Sequence, residues 1–178
     1  MKVLFTDFDG VLNNKQYLMT LKELYNTPDT DSLSDADLFT MKREVAVQNM
    51  WILGFILDQL PDLKIVISSS WRLHYDLESF KDLFKIFKLD GSRIIGKTPK
   101  KFSSERAHEI RMWLGDYEET HQDKVDFMTI DDHIIFQIED PEKFRELTTD
   151  GWTGITMHDA FKIITHFKPD FVEPVFFI

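Results

Sequence analysis

Two aspartates follow a short apolar segment at the start of the chain. Residues 3–6 read Val-Leu-Phe-Thr, a run typical of a buried strand, and lead into Asp7, Phe8, Asp9 and Gly10. Because side chains alternate along a strand, Asp7 and Asp9 should point to one side and Phe8 to the other. Two carboxylates this close repel each other unless a cation lies between them, and Mg²⁺ prefers oxygen ligands. The segment predicts a magnesium site, with an ordinary acidic turn as the alternative.

A second acidic pair follows a later apolar segment. Residues 126–130 predict another strand, and Asp131 and Asp132 come directly after it. Adjacent acids are common in loops, but the carboxyl ends of parallel strands meet at one edge of a sheet, where ligands bind. We therefore expect Asp131 and Asp132 to lie close to Asp7 and Asp9.

Strand and helix patterns alternate along the chain. Strands are predicted at residues 3–6, 64–67, 94–95, 126–130 and 154–157. Helices are predicted at 41–60, around the stripe of Phe80, Leu83, Phe84 and Phe87, from a Ser103 cap to residue 114, and at 159–167. The alternation predicts an α/β fold, a Rossmann-like three-layer sandwich with a mainly parallel sheet. The polar segment 13–40, with a turn-rich centre, is predicted to be a small cap-like insertion after the first strand.

Length and composition favour a single domain over residues 1–178. No run approaches the roughly 20 apolar residues of a membrane span, and the first strand begins too early to leave room for a signal peptide. The absence of cysteine excludes disulfides and thiolate zinc sites. We therefore expect a cytoplasmic protein without membrane partners. The net charge of −10 argues against binding extended duplex nucleic acid, although the basic stretch 97–106 could accept one phosphate.

The pattern Asp7-x-Asp9-Gly-Val resembles the first motif of the haloacid dehalogenase (HAD) superfamily. This resemblance implies that Asp7 is the nucleophile that takes the phosphoryl group. It implies that Asp9 protonates the leaving group and then activates water. It also implies Mg²⁺ as the cofactor, with Asp131 completing the ligand shell and Asp132 supporting it.

The same resemblance assigns residues between the two acidic pairs. The second motif places a serine or threonine after an apolar strand, where its hydroxyl binds a phosphoryl oxygen, and we expect Ser68 there, with Ser69 next. The third motif is a basic residue near the start of the helix before the last acidic strand, which fits Arg106. Lysine is the usual residue in the superfamily, so Lys101 and Lys97 remain alternatives, and Lys101 is also a candidate for substrate binding.

A narrower resemblance concerns one branch of the superfamily. Ser-Ser-Ser-Trp-Arg at 68–72, Arg-x-x-Glu-Ile-x-x-Trp-Leu at 106–114 and Gly-Ile-Thr at 154–156 look like HAD domains associated with RNA-repair proteins. The Ile-Asp-Asp end of the acidic strand is also similar to the phosphatase half of phage polynucleotide kinase-phosphatase. The resemblance implies that Arg72 contacts phosphate or substrate. Trp71 either stacks on a base or belongs to the core.

These expectations combine into a Mg²⁺-dependent phosphomonoesterase that works through an aspartyl-phosphate. Its expected partner is a nucleotide, a phosphorylated nucleic-acid end or another phosphorylated small molecule. A small-metabolite phosphatase is the enzymatic alternative, and a non-catalytic HAD-fold binding module is the alternative from another class. Intact Asp7, Asp9 and Asp131 argue against the binding module. The histidines show no metal-ligand spacing, and only His133, beside the acidic pair, merits a test. The apolar tail 171–178 is expected to pack on the domain.

Overall fold

Five parallel strands form the centre of the part of the chain that the structure describes. The structure is a computed structural model, and it describes residues 1–25, 38–100 and 105–173. In spatial order the strands are β3 (Ile94–Lys97), β2 (Leu63–Ile67), β1 (Lys2–Thr6), β4 (Asp126–Asp131) and β5 (Glu146–Thr148). Every neighbouring pair is parallel. The predicted α/β fold with a mainly parallel sheet is confirmed.

Helices cover both faces of this sheet. They are α1 (Lys15–Tyr25), α2 (Leu38–Glu44), α3 (Val47–Gln59), α4 (Leu77–Ile86), α5 (Arg106–His121) and α6 (Met157–Phe167). On one face α5 packs on β1, where Ile110 joins a cluster with Val3 and Phe5. On the other face Leu4 joins a larger cluster with side chains of α3, α4 and α6. Burial on both sides explains why β1 is an unbroken apolar run.

Strand register brings the predicted polar residues to one edge of the sheet. Thr6 at the end of β1 is paired with Ile67 of β2 on one side and with Ile130 of β4 on the other. The residues that follow these three, Asp7, Ser68 and Asp131, therefore lie at the same level. Hydrogen bonds between backbone groups continue the pairing there. The N–H of Asp7 donates to the carbonyl of Ile130 over 3.0 Å, and the N–H of Ser68 donates to that of Thr6 over 2.9 Å.

Two sequence-based predictions of secondary structure are wrong. The helix predicted at 41–60 is interrupted between α2 and α3, because the N–H of Ala46 leaves the helical pattern and donates to the carbonyl of Leu12 over 2.9 Å. The strand predicted at 154–157 does not exist. Gly154 instead has a positive φ of 73° in a turn, and Thr156 caps α6 by exchanging hydrogen bonds with Asp159. The fifth strand, β5, is only three residues long and carries no apolar run.

Other predicted segments are partly outside the described residues. Helix α1 occupies the start of the 13–40 insertion, whereas its predicted turn-rich centre and the Ser103 cap fall on residues that the structure does not describe. The helix after that cap begins at Arg106 and continues to His121, beyond the predicted end. At the end of the chain Phe171 packs against Phe161 with ring centroids 6.1 Å apart, and the tail from 174 onward lies outside the described residues.

None of the helices within the described residues is both long and apolar enough to cross a membrane.

Candidate active site

One guanidinium group joins the two motif carboxylates at the sheet edge. Nη1 of Arg106, the first residue of α5, donates to Oδ2 of Asp7 over 2.6 Å and also to Oδ2 of Asp131. Both aspartates are deeply buried, with side chains 4% and 2% exposed. The remaining oxygens are also bonded, since Asp7 Oδ1 accepts the N–H of Phe8 over 2.7 Å and Asp131 Oδ1 that of His133 over 2.9 Å. The pair is thus held in one geometry.

The charge at this edge is only partly balanced. Burial and then the neighbouring Asp7 raise the pKa of Asp131 to about 6, although Arg106 acts in the opposite direction. Burial alone would lower the pKa of Arg106, but the two carboxylates outweigh it and raise that pKa above its ordinary value. One cation therefore faces two buried anions. A second cation would complete the balance.

The carboxylate of Asp9 has a different environment. Its Oδ1 accepts hydrogen bonds from Asn13 Nδ2 over 2.9 Å and from the indole Nε1 of Trp71 over 3.0 Å. Its Oδ2 accepts from the hydroxyl of Ser70 over 3.2 Å. Asn13 also accepts the N–H of Gly10 over 3.0 Å, which ties it to the turn after β1. Uncharged donors thus orient Asp9. One of them, Asn13, four residues after Asp9, is not among the site residues predicted from the sequence.

The serines after β2 differ in their surroundings. Ser68 follows the strand beside Asp7 and is buried, and among the described residues its hydroxyl oxygen has no hydrogen-bond partner. An unpaired buried hydroxyl is unfavourable, so this oxygen is available for a ligand. Ser69 is also buried, but its hydroxyl accepts the N–H of Trp71 over 3.3 Å and so caps the turn. Of these two serines, only Ser68 therefore has a hydroxyl without a hydrogen-bond partner in the described residues.

Trp71 belongs to the core. It is 7% exposed, and its ring lies 5.0 Å from that of Phe8 and 5.8 Å from that of Tyr75, measured between centroids. A ring enclosed in this way has no open face for stacking on a base. Of the two alternatives drawn from the sequence, the core assignment is correct, although the indole N–H still reaches Asp9.

Arg72 lies in a structural position rather than on an open substrate surface. Its Nε donates to the carbonyl of Thr98 over 3.1 Å, its Nη1 to that of Ser69 over 2.5 Å, and its Nη2 to Glu109. Burial lowers the pKa of this guanidinium, against the opposing effect of Glu109. These bonds join the end of β2 to the segment after β3 and to α5. Three N–H groups of Arg72 thus bond partners within the fold, and its contact with phosphate stays a prediction.

Lys97, one alternative to Arg106 as the basic residue, bonds away from the carboxylates. Nζ of Lys97 donates to the carbonyls of Arg72 and Tyr75 over 3.0 and 2.8 Å. Lys101 lies outside the described residues. Of the two candidates that the structure describes, Arg106 is the one that contacts the carboxylates.

The oxygen-rich donor set at this edge fits a hard divalent cation. Ligand atoms of Asp131, Asp132 and His133 lie within 4.8 Å of one another, and theirs is the one such group of three found in the described residues. Asp7 and Asp9 are not members of this group. His133, the one histidine that the sequence analysis singles out for a test, also contacts Asp132 through Nδ1 over 2.5 Å.

An open cleft of about 580 Å³ includes Arg106 and Asp131 in its lining. The start of α5 and the loop after β4 contribute the rest of its wall. The other lining residues are mixed in character: Glu105, Ala107, Arg111, His133, Ile134, Ile135, Gln137 and Asp140. Its volume lies within the range of small-molecule sites. No helical or strand pattern in the sequence predicts this cleft, because much of its wall is an irregular loop.

Comparison with protein families agrees with this geometry. Residues 3–160 match the sequence profile of the family described as "HAD domain in Swiss Army Knife RNA repair proteins". The match covers most of the chain, and the chain therefore belongs to this family of the HAD superfamily. HAD domains are generally phosphatase-type hydrolases. No curated protein and no solved structure matched the chain.

Replacement of Arg72 tests its structural position. We expect Arg72→Ala to lower the free energy of unfolding by roughly 3 kcal/mol, because it leaves the buried carboxylate of Glu109 without this ion pair. The control is Arg111→Ala, which removes half-exposed ion pairs with Asp140 and Glu142 and should cost less than about 1 kcal/mol. Urea unfolding measures both. Unchanged stability of Arg72→Ala, together with a raised KM, would instead make Arg72 a substrate contact.

Binding of Mg²⁺ should depend on pH through Asp131. Because the pKa of this carboxyl is raised from 3.8 to about 6, the metal-free fold holds the proton more tightly than the unfolded chain does, and this group's contribution to stability falls as pH rises between these values. A cation must displace that proton at about pH 5 but not at about pH 7. We expect saturating Mg²⁺ to raise the Tm by roughly 5–10 °C near neutrality and by less at the lower pH.

The control for this measurement is Asp131→Asn, which should abolish most of the Mg²⁺-dependent rise at both pH values. An equal rise for wild type at both pH values, or a full rise in Asp131→Asn, would show that Asp131 is not a ligand.

Proposed function

We propose that this protein hydrolyses phosphate monoesters through a phosphoryl group carried on Asp7. The observation that carries the proposal is the position of Asp7, buried at the end of β1 with its carboxylate against Arg106 and beside Asp131. A nucleophilic carboxylate has to stay ionised in a buried site, and the guanidinium stabilises that form. The unpaired hydroxyl of Ser68 supplies a donor at the same level of the sheet. The HAD family membership supports the same chemistry.

In the first step a carboxylate oxygen of Asp7 forms a bond to phosphorus while the bond from phosphorus to the leaving oxygen breaks. Asp9, in its protonated form, transfers its proton to that leaving oxygen, which departs as an alcohol. Arg106 and the Ser68 hydroxyl face the phosphoryl oxygens as their charge shifts. Preorganised donors of this kind act most strongly in a site with little water.

In the second step water releases the phosphate. The carboxylate of Asp9 removes a proton from the water molecule as its oxygen bonds to phosphorus, and the bond from Asp7 to phosphorus breaks. Phosphate leaves, Asp7 regains its charge and Asp9 regains its proton. The two aspartates therefore need different surroundings, as they have here.

Mg²⁺ would neutralise charge on the phosphoryl group when bound, and we propose that the carboxylates of Asp7, Asp131 and Asp132 would hold it. Asp9, which the sequence also predicts as a ligand, has the proton-transfer role in this proposal. Two buried anions against one guanidinium support a requirement for such a cation.

We further propose that the substrate is a nucleotide or the phosphorylated end of a nucleic acid. The family description, with its reference to RNA repair, supports this class. The cleft beside Arg106 has space for one nucleoside and is lined by both apolar and polar groups. It does not form a positive channel, since the cations Arg106 and Arg111 are accompanied by Glu105, Asp131 and Asp140. Because the net charge is −10, contacts with phosphates beyond the terminal nucleotide are disfavoured. The protein should therefore recognise only the terminal nucleotide of a nucleic acid.

Loss of the nucleophile tests the covalent route. Asp7→Asn keeps the shape and an acceptor for the Phe8 N–H but removes the charge and the nucleophilic oxygen. We expect phosphatase activity in Mg²⁺ to fall at least a thousandfold, because several kcal/mol of transition-state stabilisation are lost. The matched control is Asp62→Asn, the same change at an exposed aspartate, which should leave the rate unchanged. Activity of Asp7→Asn above about one per cent of wild type would contradict the mechanism.

A panel of phosphate esters tests the substrate class. We expect 3′- or 5′-phosphorylated RNA ends and mononucleotides to exceed sugar phosphates in kcat/KM. Between a dinucleotide and a 20-nucleotide RNA with the same end, kcat/KM should change less than about threefold and depend weakly on salt, because few distant phosphates are contacted. Preference for sugar phosphates would favour a small-metabolite phosphatase. A steep gain with RNA length would reveal an extended basic surface.

A further inference from the structure

We infer that Trp71 is a positioning residue, whose indole N–H holds the carboxylate of Asp9 in the orientation needed to protonate the leaving oxygen. The inference rests on the proposed function, since it assigns a helper to the general acid of that reaction. The role belongs to the N–H of Trp71, because its ring is buried in the core and cannot stack on a base.

The hydrogen bonds distinguish the two oxygens of Asp9. Oδ1 accepts two bonds from the buried side, from Asn13 Nδ2 at 2.9 Å and Trp71 Nε1 at 3.0 Å. Oδ2 accepts a bond from the exposed hydroxyl of Ser70 at 3.2 Å. Two N–H donors leave Oδ1 little capacity to carry a proton, whereas a hydroxyl can turn away or accept. The proton for the leaving group is therefore assigned to Oδ2.

Packing fixes the direction of the indole N–H. The Trp71 ring lies against Phe8 at 5.0 Å with planes 30° apart, and against Tyr75 at 5.8 Å, between centroids. Phe8 in turn packs on Phe80 at 5.3 Å. Buried aromatic rings in such contacts occupy one rotamer because any other would collide with neighbours. The N–H thus points at Asp9 without further loss of side-chain freedom.

The backbone around Trp71 is fixed as well. Its N–H donates to the hydroxyl of Ser69 over 3.3 Å, and the next residue, Arg72, is anchored to the carbonyls of Ser69 and Thr98. Phe8 connects this arrangement to the catalytic strand, since it lies between Asp7 and Asp9 and contacts the Trp71 ring. The aromatic core and the general acid therefore form one rigid unit.

An uncharged donor suits this position. An indole N–H orients the carboxylate without adding a charge beside it. Orientation itself matters, because a displacement of about 1 Å from the reactive geometry can cost on the order of a hundredfold in rate.

The test uses Trp71→Phe, which keeps an aromatic ring in the core and removes the N–H. An alkyl phosphate needs a proton on its leaving oxygen, whereas p-nitrophenyl phosphate has a leaving group that departs as an anion. We expect kcat/KM to fall at least about tenfold with the alkyl phosphate and less than about threefold with p-nitrophenyl phosphate, as one hydrogen bond to a charged group is lost. A merely structural defect would lower both values equally.

Trp113→Phe is the matched control. This partly buried tryptophan packs on Phe5 and Tyr117, with centroids 5.4 and 5.1 Å apart, away from Asp9. The same replacement there should leave both rates within about twofold and their ratio unchanged. Benzothienylalanine at position 71 keeps the shape of indole without its N–H, so it should reproduce the effect of Trp71→Phe with no cavity. If Trp71→Phe melts without a cooperative transition, the benzothienylalanine protein tests whether the indole N–H positions Asp9.

Equal losses on the two esters, or an unchanged rate with the alkyl phosphate in the benzothienylalanine protein, would overturn the inference. If hydrolysis needs Asp7 and Asp9 but is indifferent to the indole N–H, the proposed function stands and this inference falls. If the wild-type protein hydrolyses neither ester in Mg²⁺, both fall together.

Discussion

The contact between Arg106 and two buried carboxylates is the constraint on which the rest of the site depends. Parallel pairing of β1 with β4 brings Asp7 and Asp131 to the same level, where they would repel each other in a poorly solvated environment. The guanidinium at the first residue of α5 offsets that repulsion. It also joins the sheet to the helix that covers one of its faces. Arg106 therefore contributes both to the packing of α5 against the sheet and to the electrostatics of the site.

Two aspartates only two residues apart have contrasting environments. Asp7 faces a full positive charge, whereas Asp9 faces the amide of Asn13, the hydroxyl of Ser70 and the indole of Trp71. The first environment suits the nucleophile of the proposed mechanism, because a guanidinium stabilises a carboxylate. The second orients the carboxyl group to which that mechanism gives the proton transfers. Pairs of titratable groups with different surroundings are a general way to separate acid, base and nucleophile roles.

Much of this arrangement follows from local sequence patterns. Apolar runs that end in Asp7, Ser68 and Asp131 predict strands, and parallel strands place their ends together. Arg106 could be proposed from its place near a helix start, but only its contacts distinguish it from Lys97. Local patterns suffice where burial on both faces of the sheet imposes an apolar run.

Features decided by distant contacts could not be predicted in this way. The break between α2 and α3 has no proline or glycine and arises from a hydrogen bond between Ala46 and Leu12. The position of Arg72 depends on Glu109, which belongs to another helix. The three-residue β5 has no pattern of its own because it only extends an existing sheet edge.

The most direct test of the account is the capture of the phosphoryl group on Asp7. In Asp9→Asn, an aryl phosphate can still transfer its phosphoryl group, because its leaving oxygen needs no proton, but water is no longer activated. After incubation with Mg²⁺, acid quenching and peptide mass spectrometry, the account predicts the mass of one phosphoryl group on Asp7, removable by hydroxylamine. Release of the phenol without an adduct on any carboxylate, or an adduct on another residue, would contradict it.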